Sequence, residues 1–193
     1  MEQNINTRTE FQPVNKNKEK LKYAIKHGLM LAGSLILFDL IMYIFDLSGL
    51  GMFFGFFVLL VSLALYFSFF IGGGRKYRNQ LHNGYINYSR AFVFCLSMAV
   101  VMVIVLTIYY FLFYYFFDPE RATNEAQKAI EVISENQYIP DDEKENIIGK
   151  MLENTKPVNI MVRSLINNTI TSVILAAISA LFVRRKEKIT EVL

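Results

Sequence analysis

The chain has 193 residues, 53% of them hydrophobic and 15% aromatic, with 20 Lys and Arg against 17 Asp and Glu for a formal charge of +3. That length suits one soluble domain or one compact membrane protein, so composition decides. The charges are gathered into blocks between long apolar runs, as a bilayer requires, which excludes an ordinary soluble domain; the single cysteine, Cys95, leaves no intramolecular disulfide to form.

Residues 1–21 are polar and read as a cytoplasmic tail, with Lys16, Lys18 and Lys20 closing it. No apolar signal core lies near Met1, so the first hydrophobic helix is expected to target the chain to the membrane. Glu2 stands where myristoylation needs glycine and the C-terminus has no cysteine motif, so no lipid anchor is expected. The first predicted span covers residues 22–45, with Lys26 and His27 at its inner end and Asp39 as the only charge deeper inside. A second, uncharged span covers 50–71. Gly72, Gly73 and Gly74 are expected to end it by weakening the helix, opening a basic cytoplasmic loop over 72–90.

The third predicted span, 91–117, closes on an aromatic run in which Tyr109, Tyr110, Tyr114 and Tyr115 read as a membrane-interface belt. Residues 118–157 form an acidic loop with two expected helices. Asp118, Pro119 and Glu120 give the cap, first-turn proline and first-turn acid of one that runs to about Glu135, with Ala122, Ala126, Ala129, Ile130 and Ile133 at helical spacing. Pro140 opens the other, whose apolar side carries Ile147, Ile148, Met151 and Leu152, and Pro157 ends it. The fourth span covers 158–183 and a basic cytoplasmic tail 184–193. Each span exceeds the roughly 20 helical residues that cross a hydrocarbon core.

Orientation follows from Lys and Arg near the span ends, because acidic residues contribute little to the bias. The segment leading into the first span, counted through Lys22 and Lys26 at its inner end, the 72–90 loop and the C-terminal tail together hold 14, whereas the opposite side holds six including Arg163. Both termini are therefore expected in the cytoplasm. The outer loop carries ten acidic and five basic residues, a charge of −5 that repels anionic headgroups. The fold expected is all-α: an integral membrane four-helix bundle with an extracytoplasmic helical hairpin between the third and fourth spans.

Phosphate-binding loops, dinucleotide fingerprints, metal-spaced Cys and His sets and Ser-His-Asp combinations are missing, so no enzyme, cofactor or metal centre is expected. His27 and His82 have no partner at metal-ligand spacing and read as interface and loop residues. Asp39 is the sharp feature, because an ionised group inside a span needs a partner or a water-filled cavity. Asp39 and the pair Asn167 and Asn168 fall about 10 to 15 Å deep from the same side at about 1.5 Å per residue. Arg163, Asn167 and Thr171 share one face of the fourth span, so Asp39 is expected to meet that stripe with Tyr43 one turn away. Three readings of the cluster stand: hydrogen bonds that hold helices together, a site for an ion, proton or small polar ligand, and an Asp39 near the interface of a tilted helix.

Small residues mark packing surfaces: Gly51 and Gly55 in the second span, Gly28 and Ala32 in the first, and Ser172, Ala176 and Ala180 in the fourth. They serve contacts within the chain or a homo-oligomer. Basic segments set orientation and touch anionic lipid, and no folded basic domain exists to bind nucleic acid.

Tyr77 and Arg78, then Gly84, Tyr85, Ile86, Asn87, Tyr88, Ser89, Arg90, Ala91 and Phe92 leading into the third span, resemble a family of small four-helix membrane proteins of unknown function from Bacteroidota-type bacteria. The resemblance extends over most of the chain from about Lys20 and implies a bacterial inner-membrane location; it carries no activity to transfer. Three functions are weighed. One is a non-enzymatic assembly or modulatory subunit that meets a membrane-protein partner through the acidic hairpin or the bundle surface. The second is a small oligomeric transporter or channel, although no repeat relates the two halves. An intramembrane enzyme is the third, disfavoured because no second acid, histidine or metal set accompanies Asp39 within the spans.

Overall fold

The computed structural model describes residues 16–45, 47 and 52–186. Among the described residues six helices follow one another: α1 (Lys16–Ile44), α2 (Met52–Leu81), α3 (Tyr88–Leu112) continued by a π-helical turn (Phe113–Phe117), α4 (Arg121–Glu135), α5 (Asp141–Glu153) and α6 (Pro157–Val183). Among the described residues there is no strand, only one pair of bridged residues, Ile86 and Arg185. Four stretches, Asn17–Ile44, Phe54–Leu81, Tyr88–Phe117 and Pro157–Val183, are each long and apolar enough to cross a membrane. Leu37, Phe56, Phe57, Val100, Ile104, Ile174 and Phe182 are exposed on them while other apolar residues face inward. Helices that are apolar all round belong in a bilayer, so the four fit a multi-pass membrane protein.

α3 lies at the centre and packs chiefly on α6 and α1. Its buried residues Ala91, Phe94, Cys95, Met98, Ala99, Met102, Val103 and Leu106 recur every third or fourth position and form one continuous stripe. Small residues let the neighbours come close. Ser172, Ala176, Ser179 and Ala180 are all buried on α6, and a Cβ on Gly28 of α1 would stand 2.7 Å from the Met98 carbonyl oxygen. In a bilayer such backbone approach, rather than expulsion of water, drives helices together.

The glycine triplet does not end α2. The helix runs through Gly72, Gly73 and Gly74 to Leu81, and the expected loop over 72–90 contracts to a short connection between Leu81 and Tyr88. Packing overrides the weak local propensity. A Cβ on Gly74 would stand 2.6 Å from a Val183 methyl, and one on Gly73 would stand 3.0 Å from Met98. Beyond the triplet, Tyr77 stacks face to face on Phe94 with ring centres 4.1 Å apart, holding the extended helix to α3.

That connection is itself tied down. Asn83 and Gly84 take positive φ angles of 51° and 85° to reverse the chain, and the Asn87 side chain accepts from the Arg90 N–H to start α3. Ile86 and Arg185 exchange two backbone hydrogen bonds of 3.0 and 2.9 Å. Arg78 Nη1 donates to the Val183 carbonyl at 2.9 Å, satisfying a C-terminal oxygen of α6.

At the opposite end, α4 and α5 pack on each other as a hairpin in which no residue is fully buried. The Asp118 side chain accepts from the Arg121 N–H at 3.0 Å to start α4, and the Asp118 N–H donates to the Phe113 carbonyl at 2.9 Å to close the π-helical turn. Pro157 is the first residue of α6 and so begins the last span.

Candidate functional site

Asp39 lies on the face of α1 turned toward α3. The Tyr109 hydroxyl donates to its Oδ2 at 2.6 Å, and Arg121 Nη1 stands 3.8 Å from the same oxygen. The Arg121 side chain is 13% exposed and that of Asp39 24%. Arg121 reaches this position because Asp118 and the π-helical turn deliver the first turn of α4 directly over the aromatic end of α3. Its guanidinium carbon lies 5.0, 5.1 and 5.7 Å from the ring centres of Tyr43, Phe113 and Tyr114, while Nε donates to Glu125 Oε1 at 2.8 Å. Burial opposes the Arg121 charge, but the Glu125 hydrogen bond and the Asp39 carboxylate outweigh it and hold the group above its ordinary value. The guanidinium is a permanent cation in a ring of π faces, a role to which arginine's flat, weakly hydrated head is suited.

Beside this pair a cavity of about 440 Å³ opens between α1, α2, α3 and α6, with Asp39, Ser62, Tyr66, Tyr110, Asn168, Thr171 and Arg121 supplying its polar groups. Tyr66 closes the floor, its hydroxyl donating to Met102 Sδ at 3.8 Å. Below that level Phe70, Met98 and Met102 are fully buried, and the core is apolar apart from the buried His27 and the α6 serines Ser172 and Ser179. A second cavity of about 460 Å³ lies between the hairpin and α6, where Arg163 and Asn167 line it together with Glu125 and Met151.

The residues singled out from the sequence are thus divided. Asp39, Asn168 and Thr171 border one cavity, and Asn168 also borders the second, where Arg163 and Asn167 lie. Asn168 Nδ2 donates to Ser164 Oγ at 2.9 Å, which draws its amide toward its own helix. Tyr43 meets Arg121 rather than Asp39. The cation beside Asp39 is Arg121, not Arg163: α6 turns its arginine outward to an exposed position, and the hairpin brings the other one in. Tyr109, Tyr110, Ser62 and Tyr66 also enter the site, and Tyr109 was legible only as one member of an interface belt.

Gly55 of α2 makes no close contact within the chain. A Cβ on Gly55 would meet nothing within 4 Å, because this end of α2 stands off its neighbours beside the cavity; Gly51 lies outside the described residues. His27 is buried and packs beside Gly73 and Tyr23. His82 pairs through Nε2 with the Tyr77 hydroxyl at 3.1 Å. Among the described residues no three His, Cys, Asp or Glu side chains are grouped to hold a metal ion.

A family model described as a protein of unknown function (DUF4199) matches residues 26–185. No curated protein and no solved structure matches the chain.

Proposed function

The chain belongs to the DUF4199 family, whose function is unassigned, and from that premise we propose that it is a non-enzymatic assembly or modulatory subunit of a bacterial inner-membrane complex. In this reading the termini are cytoplasmic and the α4–α5 hairpin lies on the outer side, in keeping with 14 basic residues against six. The observation that carries it is the seat of Arg121. One cation of the hairpin is enclosed between Asp39, Glu125 and three aromatic rings, so an acidic surface of charge −5 is fixed on the spans rather than trailing from them. A fixed surface of one sign suits a basic face on a partner membrane protein, which it would recruit and orient.

Cross-linking in intact membranes followed by gentle solubilisation tests this. One stoichiometric partner is expected, lost with Glu131→Lys, Glu135→Lys and Glu145→Lys combined and weakened by high salt. Capture that ignores the charge reversal would overturn it.

A second reading, a small oligomeric transporter or channel for an ion or small polar solute, draws on the polar cavity beside Asp39. The apolar core beneath Tyr66 weighs against an open pore, so solute flux in vesicles would have to accompany any such assignment.

A further inference from the structure

We infer that the cavity at Asp39 and Arg121 is a binding site for a small zwitterion that carries a protonated amine and an oxyanion. The inference goes beyond a partner-docking role and does not depend on one. All four long helices and the first turn of α4 contribute to the cavity, and its roughly 440 Å³ falls within the range of about 300 to 1,000 Å³ usual for small-molecule sites.

The two charged walls define the ligand. Arg121 Nη1 is buried with no hydrogen-bond partner, since Nε serves Glu125 and the Asp39 carboxylate is 3.8 Å away. A buried charged donor left unpaired costs free energy until an acceptor meets it. Both contacts of Asp39 fall on Oδ2, which leaves Oδ1 to accept. The Asn168 amide gives its N–H to Ser164 and keeps its oxygen, and Thr171 adds a hydroxyl. Tyr66 and Tyr110 also line the cavity, and aromatic rings suit a cation.

Neither a lone anion nor a lone cation fits this arrangement. An anion on Arg121 would be repelled by Asp39, and an ammonium on Asp39 would face the guanidinium. A molecule that joins both charges through a short spacer satisfies the two side chains together: its oxyanion takes the Arg121 guanidinium at the cavity wall, and its amine takes the Asp39 carboxylate with the oxygens of Asn168 and Thr171. Apolar walls at Leu35, Phe38 and Leu106 keep the spacer small. Two sources carry this chemistry, a free amino acid and the phosphoethanolamine headgroup of a lipid.

The full chain, reconstituted in phosphatidylcholine nanodiscs, is titrated with radiolabelled glycine and with free phosphoethanolamine; nanodiscs containing phosphatidylethanolamine are analysed for retained lipid by native mass spectrometry. Saturable binding is expected in at least one arm, and the arm names the source. Asp39→Asn, Arg121→Gln and Asn168→Leu should each weaken it at least tenfold, and Glu131→Gln should not. Because the loss of Arg121 also loosens the hairpin, Asn168→Leu decides the matter if the arginine variant fails to fold; Asn168 makes no hydrogen bond to either charged residue. No saturable binding in any arm, or binding equal in all four variants, would overturn the inference.

Discussion

The Tyr109 hydroxyl and Asp39 Oδ2, 2.6 Å apart, join α3 to α1 at the end of the molecule that carries the hairpin. A hydrogen bond to a carboxylate contributes more than one between neutral groups, and interhelical polar contacts in membranes reach about 1 to 2 kcal/mol. Tyr109→Phe should therefore lower stability in detergent by about 1 to 2 kcal/mol. Asp39→Asn keeps an acceptor for Tyr109 and should cost less than Asp39→Leu, which leaves Tyr109 and Arg121 without it. Denaturant titration of the three variants gives the order; equal losses for Asn and Leu would mean that the hydrogen bond contributes nothing.

Arg121 fastens the hairpin. Arg121→Ala should leave the four long helices folded but expose the segment around Asp118 and Arg121, seen as several-fold faster limited proteolysis and amide exchange in α4. Arg121→Lys should rescue little, because an ammonium cannot reach Glu125 and Asp39 from one flat head or stack among three rings.

Glycines of one helix should respond in opposite directions. Gly74→Ala places a methyl 2.6 Å from Val183 and should destabilise by about 1 to 3 kcal/mol. At Gly55 a methyl meets nothing within 4 Å, and the higher helix propensity of alanine should stabilise by about 0.5 to 1 kcal/mol. Thermal unfolding of the two variants side by side makes the comparison.

The proposed orientation is checked by cysteine labelling in a Cys95→Ala background. Ser134→Cys, exposed on α4, should react with a membrane-impermeant maleimide added to whole cells, and Asn79→Cys, exposed at the far end of α2, should react only after the membrane is opened. The reverse pattern would invert the topology.

Much of the architecture was legible because hydropathy and helix-start chemistry act locally. Four apolar runs stand out without reference to any neighbour, and Asp118 with Pro119 and Pro140 with Asp141 mark where the hairpin helices begin. The glycine triplet misled for the opposite reason: its effect on α2 is decided by Val183 and Met98, residues remote in sequence that fill the space a side chain would need. The need of Asp39 for a partner could be read; its identity could not. Arg163 was the basic residue within a predicted span, while Arg121 in the loop between the third and fourth spans resembled any solvated charge paired with Glu125 one turn on. What brings it inward is the π-helical turn at Phe113–Phe117, which resets the direction of the chain and leaves no recognisable mark in a run of aromatics.

The paired backbone bonds between Ile86 and Arg185, with Arg78 on the last carbonyl of α6, give the molecule unequal stiffness along its length. Sliding α6 along its axis, or turning it about that axis, would break all three contacts at once, so piston and screw motions are blocked at that end. The freedom left to α6 is a tilt about this joint, a swing that grows toward Pro157 and takes Asn168 and Thr171 with it at the cavity. A lean of α6 therefore changes the volume around Asp39 while the foot of the helix stays fixed.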